Sequence, residues 1–235
     1  MVGIEEALRY PMERENWYTT IVIGGILSLF SFLIIPLFLV YGYLLQVIQR
    51  RLAGQFEPPV FEEWGQLLVD GVKVWIIGLI YLLIPILIAV FTVGSALVGF
   101  VTGTEVGAAI GLAGMVVGLF VSFVLFLVFG YIAAAAIVNF AHEQEFGAAF
   151  DFASLKPILL HGDYVVGWLM AVGVLIGGGI LGGFLNAVPV LGAILAAFLL
   201  FYLQVVAVGM IADGFAAAAE SLALGDQAVT DEAPA

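Results

Sequence analysis

Cysteine is missing from this chain of 235 residues. Disulfides, thiolate metal sites and a cysteine nucleophile are therefore excluded. Basic residues are also scarce. Six Lys and Arg stand against 18 Asp and Glu, giving a formal net charge of -12. No basic patch exists, so nucleic acid is not an expected partner. The acidic excess suits a very salty cytoplasm, where at about 1 M salt the Debye length falls to roughly 3 Å. An acidic protein from an ordinary cell is the alternative.

A third shortage is more informative. Residues 75–100, 106–140 and 165–212 contain no Asp, Glu, Lys, Arg or His. An ionisable group inside a membrane is the usual mark of an ion or proton pathway, so proton-coupled transport is not expected. The polar residues left in or beside the apolar runs are Ser28, Ser31, Gln46, Ser95, Ser122, Asn139, Asn186 and Gln204. Such residues commonly bond to a neighbouring helix.

What is present is apolar. Hydrophobic residues make up 64% of the chain and charged residues 10%, with a mean hydropathy of +1.21. A soluble domain is nearer half apolar and a quarter charged. The composition predicts an all-α, polytopic transmembrane helical bundle. A single membrane domain is expected over residues 1–220, followed by a flexible acidic tail over 221–235. The first 16 residues carry four glutamates beside Arg9 and Arg14. They do not form a signal-peptide n-region, and the following apolar run is read as retained.

Apolar blocks occupy residues 17–47, 72–100, 106–140 and 164–212. A span takes about 20 residues, so the last block must fold back, and NAVP at 186–189 offers the break. The first block contains Pro36 and admits two readings. A kinked single helix gives five spans, and a hairpin folded near Ile35 and Pro36 gives six. Six spans put Arg9, Arg14, Arg50, Arg51, Lys73 and Lys156 on one side, as the positive-inside rule favours. Both termini would then be cytoplasmic.

Three stretches resemble one another: IEEALRYPMERENW at 4–17, FEEWGQLLVDGVKVW at 61–75 and FDFASLKPILLHGDYVVGW at 150–168. Each begins with an apolar residue and an acid, and ends on a tryptophan where an apolar run begins. They predict three hairpin repeats joined by same-side amphipathic elbow helices. In the central copy Phe61, Trp64, Leu68 and Trp75 should lie at the lipid boundary or under the bundle, with the acids turned to the cytoplasm. Interfacial anchoring is expected of Trp17, Trp64, Trp75 and Trp168, and of Arg50 and Arg51.

The glycines, 29 in all, form stripes at 107, 111, 114 and 118 and at 173, 177, 178 and 182. Small residues let helices approach closely in lipid, either within one chain or between copies. Candidate chemistry is sparse. His142, Glu145, His161 and Asp163 could furnish a metal site. Ser154 lies near His161 and Asp151 in sequence but lacks a nucleophile-elbow pattern. No catalytic residue, metal or cofactor is expected.

ALRYP at 7–11, IPLFLVYGY at 35–43, PVFEEWG at 59–65 and LVDGVK at 68–73 resemble an archaeal family of multi-pass membrane proteins. That family is widespread in haloarchaea and known only as a domain of unknown function. The resemblance continues through Asn139, Phe140 and FGAAFDF at 146–152. It implies a membrane protein of a halophile and supplies no activity. The expected role is a non-enzymatic scaffold or accessory subunit that organises lipid or a partner membrane protein, with a homo-oligomer also open. The alternative is a passive channel or carrier for a small neutral or apolar solute, using Gln46, Asn139 and Gln204.

Overall fold

A computed structural model describes residues 3–101 and 104–231, the side chains of 225–231 excepted. Among the described residues there are eight α-helices, two short 3-10 turns and no strand. The helices are α1 (Ile4–Arg9), α2 (Trp17–Leu29), α3 (Ile34–Leu52), α4 (Trp64–Val101), α5 (Glu105–Glu143), α6 (Phe152–Leu159), α7 (Gly162–Leu185) and α8 (Leu191–Asp231). Four of them, α4, α5, α7 and α8, are long and apolar enough to cross a membrane. The expected tail begins inside α8, whose backbone stays helical to Asp231; residues 232–235 lie outside the described residues.

The chain divides into two compact units. One comprises Met1–Trp75 with Ala135–Ala235, and the other is Ile76–Ala134. In the larger unit α8 is the central element and packs against α7, α2 and α3. Its core joins Tyr10, Val40, Tyr43, Val47, Leu67, Phe201 and Val205. A second cluster sets Ala7 of α1 and Ala171 of α7 against Val206, Ala207 and Met210 of α8.

The first apolar block is a helix pair, and the chain turns at residues 30–33, just before the expected Ile35 and Pro36. Leu33 is the N-cap of α3, so Pro36 falls in the first helical turn. There an amide hydrogen has no intrahelical acceptor, and proline loses nothing by lacking it. The α2 helix has only 13 residues, about 20 Å of rise.

The central repeat also differs from expectation. It is not a separate elbow helix. Residues 60–63 are non-helical, and the rest forms the opening turns of the 38-residue α4. Glu63 at its start has φ of 48°. Asp70 faces inward and is 7% exposed. It accepts hydrogen bonds from Gln66 Nε2 at 2.8 Å and Lys73 Nζ at 3.1 Å. These i,i+4 and i,i+3 contacts support the helix locally and satisfy the carboxylate. The third copy does contain a separate short helix, α6, capped by the Asp151 side chain.

Two glycines explain how α3 and α4 meet. A Cβ at Gly42 would lie 1.9 Å from the Leu67 carbonyl oxygen, and one at Gly71 would lie 1.7 Å from that of Phe38. The backbones therefore touch, as small-residue crossings in lipid allow. On α2, Gly24 and Gly25 receive the rings of Phe201 and Phe198 from α8.

The smaller unit pairs the apolar parts of α4 and α5. A Cβ at Gly99 would lie 2.8 Å from the Gly107 carbonyl oxygen, and one at Gly111 would lie 3.0 Å from that of Ala96. Gly118 faces Thr92. Much of the first glycine stripe is thus absorbed within this hairpin. Thr92 satisfies its hydroxyl by donating to the Ile88 carbonyl at 2.7 Å, a back-bond available to any helix.

Gly42→Ala is expected to destabilise the protein by about 1–3 kcal/mol through overpacking against backbone that cannot yield. Gly78→Ala, where a Cβ meets nothing within 4 Å, should be neutral or slightly stabilising. Thermal unfolding of both variants in one detergent makes the comparison, and equal melting temperatures would refute the close crossing.

Candidate functional site

A buried ion pair of the larger unit is built on Arg51. α3 ends directly after it, and the ending is locally encoded. Gly54 adopts φ of +67°. Its amide donates to the Arg51 carbonyl at 3.0 Å, and the Gln55 amide donates to the Arg50 carbonyl at 2.9 Å. This pair of bonds is a Schellman C-cap, which needs a residue without Cβ strain at Gly54.

The Arg51 side chain turns inward and is 5% exposed. Its Nε donates to Asp213 Oδ1 at 2.9 Å, and its Nη2 donates to Oδ2 of the same carboxylate. The two residues are 162 positions apart. The fork geometry gives a bidentate, charge-assisted contact between α3 and α8. The guanidinium also lies 4.7 Å from the centroid of the Tyr10 ring, a cation–π contact. Tyr10 is buried, and among the described residues its hydroxyl has no hydrogen-bond partner. Burial pushes its phenol up to about 12, with the charges of Arg51 and then Arg50 pulling the other way.

Further contacts tie the surrounding segments to α3 and α8. Tyr202 donates its hydroxyl to the Leu8 carbonyl. Arg14 Nη1 donates to the Pro58 carbonyl at 3.1 Å, and Tyr43 OH to that of Pro59 at 3.2 Å. The Tyr43 and Phe61 rings stack 4.3 Å apart. Together these contacts pin the N-terminal segment and the α3–α4 connection onto α3 and α8.

The two adjacent arginines have different environments. Arg51 is committed to Asp213, so it is not available to a lipid phosphate. Arg50 is half-buried and lines a cavity of about 410 Å³ with Gln46, Gln49, Gln55, Glu62 and Glu63. Trp17 and Trp64 begin α2 and α4. Trp64 rests on the Phe61 ring at 5.8 Å, and Trp75 lies edge-on to Phe38 at 5.8 Å. Trp168 lies on α7 and is half-buried.

The third elbow does not bring its acids and histidines together as one cluster. His142 Nε2 lies 3.8 Å from Glu143, and His161 Nδ1 lies 3.4 Å from Asp163. Among the described residues no group of three or more His, Asp or Glu side chains is placed to hold a metal ion. Ser154 donates to Asp151 Oδ2 at 2.7 Å, while Asp151 Oδ1 accepts from the Ala153 amide at 3.0 Å. This is a helix N-cap, and the Ser154 hydroxyl bond holds the Asp151 carboxyl below its usual range.

The amides proposed to line one solute path are found at separate places. Gln46 lines the Arg50 cavity. Asn139 lines one of about 350 Å³ beside His142 and Ser154, and its Nδ2 donates to the Ala148 carbonyl at 2.9 Å. Gln204 lines a third, of about 370 Å³, with Ser28, Ser31 and Asn186. Asp213 itself escapes a reading by apolar blocks, because it follows directly on the long run 165–212.

Residues 29–187 match a family described as "Protein of unknown function (DUF4013)". The ALRYP stretch at 7–11 precedes the matched residues, as Asp213 follows them. No curated protein and no solved structure matched the chain.

Arg51→Met strands the Asp213 carboxylate and should cost about 3–5 kcal/mol, whereas Arg51→Met with Asp213→Leu should recover most of that loss. A double-mutant cycle by thermal unfolding measures the coupling, and additive losses would count against the pair. Tyr10 gives a separate pH signature. Its folded value lies above the roughly 10 of an exposed phenol. Stability from the neutral phenol is therefore intact below pH about 10 and is lost as pH rises through about 12. Titration of phenolate absorbance should show a late-ionising fraction that falls by one tyrosine in Tyr10→Phe.

Proposed function

The chain belongs to the DUF4013 family of proteins of unknown function, and from that premise we propose a non-enzymatic integral membrane protein that serves as a scaffold or accessory subunit. It would organise lipid or a partner membrane protein in the cell membrane. In this reading α2 and α3 add a hairpin to the four long apolar helices, making six membrane segments in three hairpins. The arginine layer and both termini face the cytoplasm, where the positive-inside rule puts Arg and Lys. Trp17, Trp64, Trp75 and Trp168 sit at the interface with Arg50. The acidic balance belongs to a salt-rich cytoplasm of the archaeal type.

One observation carries the scaffold reading. Only 6% of the most apolar stretch of α5 and 17% of that of α4 is buried, against 39% for α8. Phe91, Phe120 and Phe123 on these two helices are 79%, 67% and 60% exposed. A helix pair with so little of its own surface covered is suited to hold another membrane protein through van der Waals packing. The ion pair and capping bonds elsewhere are explained by stability, which favours a structural role over chemistry. Three amides lining three different cavities give the carrier reading no such support.

A photo-crosslinking residue placed in turn at Phe91, Phe120 and Phe123 in native membranes tests the proposal. A scaffold yields a discrete protein adduct of the same mass from more than one position. Adducts with lipid alone at all three positions would overturn it.

A further inference from the structure

The cavity of about 370 Å³ at Gln204 lies between α2, α3, α8 and the connection from α7 to α8. Gln204 is nine residues before Asp213 on α8, about 14 Å along the axis. The cleft thus sits away from Arg51 and Asp213, toward the ends of the helix pairs where α2 turns into α3 and α7 into α8. Its walls are mixed. Leu200 and its neighbours supply hydrocarbon, while Ser28, Ser31, Tyr41, Asn186 and Gln204 supply hydrogen-bonding groups. Among the described residues the Ser28 hydroxyl is buried with no partner. Asn186 uses one amide hydrogen on the Gly182 carbonyl at 2.9 Å, which leaves its carbonyl oxygen to accept.

A buried polar group without a partner costs several kcal/mol. The unpartnered Ser28 hydroxyl, with Asn186, Gln204 and Tyr41 on the same cleft, therefore calls for an occupant that can both donate and accept hydrogen bonds. No Lys, Arg, His, Asp or Glu lines the cleft, so a charged headgroup would be desolvated there without a counter-charge. We propose that this cleft binds the uncharged, hydroxyl-bearing head of a membrane lipid, a diacylglycerol-like alcohol, with Gln204 and Tyr41 bonding its one free hydroxyl, as donor and acceptor, and Leu200 covering the first carbons of the chain. The inference rests on the membrane reading above and not on the scaffold reading. It concerns α2, α3 and α8, whereas the crosslinking experiment concerns α4 and α5, so either can fail alone.

The full chain in phosphatidylcholine nanodiscs, with a photoactivatable diacylglycerol, gives the test. The control is the phosphatidic acid analogue with the same chains. The diacylglycerol probe should label peptides of α2, α3 and α8, and the phosphatidic acid probe should not. Gln204→Leu and Tyr41→Phe should each lower labelling roughly fivefold, the loss of about one hydrogen bond. Ser28→Ala, the smallest change, gives a third variant, and an unchanged melting temperature identifies the variants that remain folded. Equal labelling by both probes, or labelling unchanged in all folded variants, would overturn the proposal. Displacement of the lipid probe by free glycerol would overturn it too, by showing a site for a soluble polyol.

Discussion

The Arg51–Asp213 contact fixes the arrangement of the larger unit. It joins the last turn of α3 to α8 across 162 residues of sequence, at a point where the Arg51 side chain is 5% exposed. A buried charge is tolerated only when its donors are used, and here both nitrogens of the fork meet one carboxylate. The geometry depends on the capped end of α3, on the phase of α8 and on the Tyr10 ring under the guanidinium. An error in any of these leaves a charge uncompensated. Such a contact contributes less to net stability than to selecting one packing over its alternatives. Apolar surfaces alone select poorly in lipid, because the surrounding solvent is as apolar as the helices.

Glycine provides the second selection device. At Gly42 and Gly71 the backbones of α3 and α4 lie against each other's carbonyls, a distance that side chains would not permit. Gly24 and Gly25 leave space for two phenylalanine rings of α8. These contacts specify register as well as proximity, because a slip of one residue would put a side chain where only hydrogen fits.

Much of this was legible in sequence, and the exceptions have physical causes. The apolar blocks correspond to helices because little else can satisfy a backbone in hydrocarbon. The hairpin expected near Ile35 and Pro36 turns just before them, at residues 30–33, since a proline in the first helical turn costs no hydrogen bond. The central elbow runs on into α4 because nothing between Trp64 and Val101 ends a helix there; even Pro85 is accommodated within it. Asp70 was expected to face water, yet Gln66 and Lys73 one turn away on either side supply its partners. Arg50 and Arg51 look equivalent as letters. Only the helix phase distinguishes them, sending one into the ion pair and the other to a cavity. Asp213 was hidden for a related reason, since composition cannot tell the end of an apolar run from a buried partner for a distant arginine.

The two units differ in what holds them. The larger has an ion pair, tyrosine bonds to backbone carbonyls and stacked rings, each tying segments distant in sequence. The smaller is a helix pair linked by close glycine contacts, in which Thr92 bonds back to Ile88 and Ser95 to Thr92, while the Ser122 hydroxyl is buried with no partner among the described residues. Back-bonded hydroxyls remove polar groups from the surface without offering them to a neighbour. The exposed side chains of that hairpin are mostly apolar, with Ser95 and Glu105 among the exceptions, and a partner of the kind proposed would have to be recognised by shape. Shape recognition in a bilayer needs a matched surface, because the gain over lipid comes from better packing alone. That places the burden of specificity on the large exposed side chains at 91, 120 and 123, the positions where a partner would have to fit.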